Sequence, residues 1–261
     1  MDMMEIIKKR KSVRTFDGRG ISAKDLSNLR SFLETVSNPY GIPVEFVLLD
    51  AEAHGLSSPV IRGEHLYVAA KVPQTAHCEE AFGFSFEQMV LHAWSLGLGT
   101  TWIGGTMDRS LFERAAGTKA NEFMMIASPL GYPAAERSEV DARLRAKVHG
   151  DERLAATELF YDKDFDTPLQ PEAPLLEAVR WAPSAANMQP WRVVRTDSAY
   201  HLYKKSTLAH AAKARWDVQK IDLGIALCHL MAAGGGTFEL ADPGIAAGND
   251  TEYIATVRIQ N

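Results

Sequence analysis

With 261 residues and 46% hydrophobic side chains, the chain is long enough to bury a sizeable core, which excludes extended disorder for most of it. A formal net charge of -5 argues against a nucleic-acid protein, because phosphate backbones are gripped by clustered cationic surface and any basic patch here must be local. Two cysteines, Cys78 and Cys228, are too few and too far apart for a disulfide framework or a zinc site, and no apolar run reaches membrane-spanning length.

Met4 to Lys9 reads as a short amphipathic start in which Ile6 and Ile7 are the only paired apolar residues. No signal-peptide hydrophobic region precedes Lys8-Lys9-Arg10-Lys11, so the cytoplasm is the expected location. Arg10-Lys11-Ser12-Val13-Arg14 follows. Guanidinium donors match phosphate oxygens bidentately and a hydroxyl adds another donor, so the cluster suits an anion; taken alone it also suits a solvated surface. From Leu29 a helical apolar pattern passes through a small and polar loop into a strand at Val44 to Leu49. An apolar helix over Gly83 to His92 leads to Gly97-Leu-Gly-Thr-Thr-Trp-Ile-Gly-Gly105. Its glycines permit close backbone approach, so amides at Gly104 and Gly105 could reach the edge of a flat ligand; a helix terminator before a strand explains the same letters.

Glu122 to Ala127 reads as a late strand. Ala134 to Ala156 carries Arg137, Arg143, Arg145, Lys147 and Arg153, a charged stretch with helical potential. Asp164 to Pro174 has three prolines in seven residues and reads as a linker. A helix over Leu175 to Trp181 is stopped by Pro183. The loop Ala182-Pro-Ser-Ala-Ala-Asn-Met-Gln-Pro-Trp191 then presents Ser184, Asn187 and Gln189 before a strand at Trp191 to Thr196. Such directed polar groups suit ligand contact, or a loop capped by its own hydrogen bonds. A second apolar helix starts near Gly224, a turn follows at Gly234-Gly235-Gly236, and Glu252 opens a last strand. His92, His149, His201 and His229 read as ordinary structural or surface residues.

The chain repeats itself. Leu29 to Asp50 lies on Leu176 to Asp197 without a gap at an offset of 147, matching Ser37 with Ser184, Pro43 with Pro190 and Val47 with Val194. Gly83 onward resembles Gly224 onward, and Glu122 onward parallels Glu252 onward. The order helix, strand, helix, strand thus occurs twice, with the expected domains 1–163 and 164–261.

Taken together, Arg10-x-Ser12-x-Arg14, Gly97-Leu-Gly-x-x-Trp-Ile-Gly104 and Pro183-Ser-x-x-Asn-x-Gln-Pro-Trp191 resemble the nitroreductase family of FMN-dependent oxidoreductases. The resemblance implies an α+β nitroreductase-like fold, with antiparallel or mixed sheets flanked by helices, in two tandem copies forming a pseudo-dimer. In ordinary members the first and second elements come from one subunit and the Pro-Ser loop from its dimer partner. Here both sets lie in one chain. The resemblance therefore implies that Arg10, Lys11, Ser12, Arg14, Gly104 and Gly105 bind FMN together with Pro183, Ser184, Asn187 and Gln189. Arg153 is the candidate for a further cation on the phosphate, with Arg137 and Arg145 behind it. The offset places Tyr40 against Asn187 and Ile42 against Gln189, and the second copy opens with Thr167-Pro-Leu-Gln-Pro instead of Arg-x-Ser-x-Arg. One FMN per chain is expected, with the second site lost. The implied activity is ping-pong: NAD(P)H as co-substrate gives hydride to flavin N5, and a nitroaromatic, quinone or similar small-molecule acceptor receives the electrons. No catalytic acid or nucleophile and no metal is required. An FMN-binding protein without turnover, carrying the flavin as a structural or carrier ligand, fits the same motifs, and a flavin-free interaction scaffold is a third reading. A chain that completes its own site needs no partner, so a monomer is expected and homo-oligomers are left open.

Overall fold

The structure is a computed structural model that describes residues 2–169, 174–197, 199–206 and 215–259. Along the chain run α1 (Met3–Lys9), α2 (Ala23–Leu33), β1 (Glu45–Asp50), α3 (Ala51–His54), β2 (Leu66–Pro73), α4 (Cys78–Ser95) and β3 (Gly99–Thr100). Then come α5 (Arg109–Ala115), β4 (Glu122–Phe123), β5 (Ala127–Gly131), α6 (Glu139–Lys147), α7 (Ala156–Leu159), β6 (Phe160–Asp162) and α8 (Pro174–Arg180). The last elements are β7 (Trp191–Thr196), β8 (Ala199–Lys205), α9 (Val218–Gly234), β9 (Thr237–Glu239) and β10 (Thr251–Arg258). Short oxygen-bearing side chains begin many of the helices. Ser22, Asp50, Asp108, Ser138 and Asp217 each accept a hydrogen bond from a backbone N–H two or three residues on, satisfying a donor that the first turn leaves open. Gln170, Pro171, Glu172 and Ala173 of the expected linker lie outside the described residues.

The chain forms two compact units, each drawn from more than one segment. The amino-terminal unit is Lys9–Cys78 with Ser85–Gly150; the carboxy-terminal unit is Met1–Lys8, Glu79–Phe84 and Asp151–Asn261. They divide the chain differently from the sequence copies, since residues 151–163 pack within the carboxy-terminal unit.

In the amino-terminal unit the strand order is β1-β2-β5-β3, antiparallel throughout, with β4 also paired to β2. β2 is central, and Tyr67 to Ala70 are fully buried. Its core gathers Val13, Phe16, Leu49, Ile103, Phe112 and Met124, with Tyr67 and Phe112 edge-to-face at 5.0 Å.

In the carboxy-terminal unit the order is β6-β7-β8-β10-β9. Setting β6 aside, β7-β8-β10-β9 reproduces β1-β2-β5-β3 strand for strand, with α8 before β7 as α2 stands before β1. Helices α2 and α8 end at Leu33 and Arg180, 147 residues apart. The strand expected over Glu122 to Ala127 is broken: Met124 to Ile126 interrupt it, giving β4 and β5. The matching strand β10 is irregular at the corresponding place, with a register shift between Tyr253 and Ala255. The charged stretch contains α6, and after it α7 leads into β6, which joins the second sheet parallel to β7.

Within the carboxy-terminal unit, the start of α4 crosses α9 at a pair of glycines. A Cβ on Gly83 would run into the Ile221 carbonyl oxygen, and one on Gly224 into that of Glu80. The two helices therefore meet backbone to backbone. Among the described residues no helix is long and apolar enough to cross a membrane.

Candidate functional site

Immediately after α1 the Arg10–Arg14 segment runs beside β3. Ser12 bridges Thr100 in the parallel sense, and the Val13 N–H donates to the Thr100 carbonyl at 2.8 Å, so the segment extends the sheet past its last strand. Gly99 makes this possible: a Cβ there would lie 2.7 Å from Val13 Cβ. Farther along, Arg62 N–H donates to the Arg14 carbonyl at 2.9 Å and Phe16 N–H to the Arg62 carbonyl at 2.8 Å. Two of the three sequence clusters are thus neighbours within one unit.

Carboxylates meet the cations of this segment. The Arg10 side chain is buried, its Nε lies 3.8 Å from Glu87 Oε1 on α4, and that Nε makes no hydrogen bond. Burial pulls the Arg10 guanidinium below its ordinary value, the charge of Glu87 works against this, and nearby Arg145 adds to the lowering. Arg14 Nη1 donates to Asp141 Oδ1 at 3.2 Å. Helix α6 therefore brings Asp141 to Arg14 and Arg145 toward Arg10. An open cleft of about 440 Å³ adjoins the segment, lined in part by Lys11, Ser12, Thr15, Glu136, Arg137 and Asp141. Gly104 packs tightly, since a Cβ would come within 2.8 Å of Ile126 Cδ1, whereas Gly105 faces open space. Arg109 holds this strand end by donating to the carbonyls of Met124 at 2.7 Å, Gly104 at 3.0 Å and Met125 at 3.1 Å.

The Pro-Ser loop belongs to the carboxy-terminal unit. Ala185 to Asn187 form a short 3-10 turn, and Ala186, Asn187 and Gln189 have φ of 50°, 57° and 50°, left-handed values for three residues with side chains. Ser184 Oγ accepts from Gln189 N–H at 2.8 Å, and Asp222 Oδ1 on α9 accepts from Ala185 N–H at 3.0 Å. The amide groups of Asn187 and Gln189 turn toward the stretch after Gly150. Asn187 Nδ2 donates to the Glu152 carbonyl at 3.1 Å, and Gln189 Oε1 accepts from Leu154 N–H at 3.0 Å. Arg153, between these two, lies over the Trp181 ring at 5.0 Å.

A family model described as "Putative TM nitroreductase" matches residues 2–234. The chain belongs to this nitroreductase family. A structure from Thermotoga maritima, likewise a "putative nitroreductase", is similar over 99% of this chain and 94% of its own, with a TM-score of 0.64 and 20% identity, a likeness of fold. A nitroreductase family protein from Clostridium novyi NT matches 54% of this chain and 91% of its own, with a TM-score of 0.45 and 19% identity. An FMN-dependent nitroreductase from Clostridium difficile R20291 matches 51% and 88%, with a TM-score of 0.44 and 15% identity. No curated protein matches the chain.

For this nitroreductase family member, Arg10, Lys11, Ser12, Arg14, Gly104 and Gly105 share the amino-terminal unit, and Pro183, Ser184, Asn187, Gln189 and Arg153 share the other. Arg137 and Arg145 belong with Arg10 and Ser12. Sequence reasoning missed Glu87, Asp141, Arg109 and Asp222. Asp222 carries a legible signal, a single carboxylate in the apolar run Ile221 to Leu227. The other three sit among ordinary neighbours on helix faces, and nothing in the letters marks them.

Proposed function

We propose that this chain binds one FMN with residues of both copies and passes hydride from NAD(P)H to a small-molecule acceptor such as a nitroaromatic or a quinone. The observation that carries the reading is the Arg10–Arg14 segment, paired through Ser12 and Val13 with Thr100 of β3, in the same glycine-rich stretch of chain that runs on to Gly104 and Gly105. The residues present fit the cofactor. A phosphate calls for cationic donors with capacity to spare, and Arg10 has a buried Nε with no hydrogen bond. A flat ring calls for backbone without side chains, and Gly105 faces open space.

In this reading Arg10 and Ser12 hold the phosphate and the ribityl chain, with Lys11 and Arg153 adding positive charge. Arg14 keeps a cation beside the pyrimidine edge. The amides of Gly104 and Gly105 meet the ring edge, and Pro183, Ser184, Asn187 and Gln189 close the ribityl and ring side. Bound there, FMN supplies the two-electron chemistry that joins NAD(P)H to the acceptor. One chain supplies every residue of the site, so a monomer suffices to bind the cofactor.

Anaerobic addition of NADH or NADPH to the FMN-loaded protein tests the activity. Bleaching of the flavin absorbance, followed by its return on adding a quinone or nitroaromatic, is the expected result. Bound FMN that neither nucleotide reduces would make the protein a flavin carrier instead.

A further inference from the structure

The Pro-Ser loop holds a costly backbone. Ala186, Asn187 and Gln189 lie at positive φ, where residues with a Cβ are strained, and strain of this kind persists only when the surroundings over-determine it. Several bonds hold the loop, among them one from Arg192 Nη1 on β7 to the Gln189 carbonyl at 3.1 Å. Ser184 is part of the loop, and Glu152 and Leu154 belong to a stretch outside any helix or strand that Arg180 of α8 ties down at the Leu154 carbonyl, at 2.9 Å. Asp222 differs from these. It stands on α9, among side chains buried from Ile221 to Leu230, and its Oδ1 ties Ala185 N–H to that helix at 3.0 Å.

A carboxyl group in this position is chemically out of place. Asp222 is 3% exposed, and its Oδ2 makes no hydrogen bond. Burial pushes the group well above the usual carboxylate range; the Ala185 hydrogen bond opposes this and the charge of Asp217 adds to it. The duplication supplies an internal comparison. Matching Gly83 with Gly224 sets Ala81 opposite Asp222. The corresponding first-copy loop, residues 37–43, has Tyr40 and Ile42 where the second has Asn187 and Gln189, and its positive φ falls on a glycine, Gly41. The copy that lost the polar loop therefore lacks both the strain and the acid.

We infer that Asp222 is a positioning residue for the flavin loop: through Ala185 N–H its carboxyl group holds Ser184 to Gln189 in the left-handed turn that FMN binding requires. The role in FMN binding rests on the function proposed above. Asp222 acts through the loop backbone, and an isosteric side chain with an acceptor oxygen should replace it.

Amide hydrogen exchange of the flavin-free full chain and FMN titration, compared for wild type, Asp222→Asn and Asp222→Ala, test the proposal. In wild type and Asp222→Asn the Ala185 amide should be protected, with FMN affinities within about twofold of each other, since the acceptor is retained. In Asp222→Ala the amides of 185–189 should exchange about ten- to a hundredfold faster, and FMN should bind more weakly by a similar factor, while β7 and β8 stay protected. An Ala185 amide that exchanges freely in wild type overturns the proposal even if the alanine variant does not fold. So does an alanine variant with wild-type loop exchange, or an asparagine variant that folds but behaves like the alanine one. If wild type binds no FMN while the loop still depends on Asp222, the flavin reading fails and the loop anchor stands.

Discussion

Removing Arg10 takes a cation away from Glu87, whose side chain is fully buried, and at the same time takes a donor from the proposed phosphate site. Stranding part of a buried charge pair is the larger effect on folding. Arg10→Met should lower stability by about 3 kcal/mol and weaken FMN binding, measured by urea unfolding and by flavin titration. Arg14→Ala should leave FMN bound but shift its reduction potential downward, as read by anaerobic dye titration, because the cation proposed to lie beside the ring edge is gone. For Asp222 the sign follows from its raised pKa. The folded protein binds this proton more tightly than the unfolded chain, so the contribution is most favourable at low pH and declines as pH rises from the ordinary value of 3.8 toward the raised folded value. Asp222→Asn should remove that slope. Urea unfolding between acid and neutral pH should show the variant gaining on wild type as pH rises.

Helix crossing governs the element scale. On an exposed helix, alanine in place of glycine is favourable by about 1 kcal/mol. At Gly83 and Gly224 a Cβ would strike the backbone of the facing helix, which cannot swing aside as a side chain can. Gly83→Ala should therefore destabilise the protein, by about 3 kcal/mol, and a thermal or urea melt of the variant would show it. The same scale explains what the sequence revealed and what it hid. β7 was legible because a proline and a tryptophan open a short apolar run after a polar loop, and α6 because charge accumulates where solvent is. β2 and β8 were missed. Both lie in the middle of a sheet, β2 almost continuously buried, so neither shows the alternation of a half-exposed strand. The Glu122 to Ala127 strand was legible in kind, but its interruption is pinned by bonds from Arg109 to Met124 and Met125, 15 and 16 positions away along the chain. Candidate site clusters were legible as motifs; the acids Glu87 and Asp141 that accompany them were not, because each is defined by a long-range contact, whereas Asp222 stands out as a lone carboxylate in an apolar run.

At the scale of the whole molecule, the duplication is visible in both sequence and topology: the 147-residue offset anticipates the end of α2 and α8, and the shared strand order extends the match beyond the aligned letters. The two copies have diverged in complementary ways. One keeps the Arg-x-Ser-x-Arg segment and the glycine-rich strand, and the other keeps the Pro-Ser loop with its acid. In the proposed function these are the parts of one flavin site rather than two. The most direct test is a count of FMN per chain, taken from the absorbance of flavin released from the saturated, gel-filtered protein against its chain concentration. One FMN per chain is the expected result; two per chain, or none after incubation with excess FMN, would contradict a single shared site.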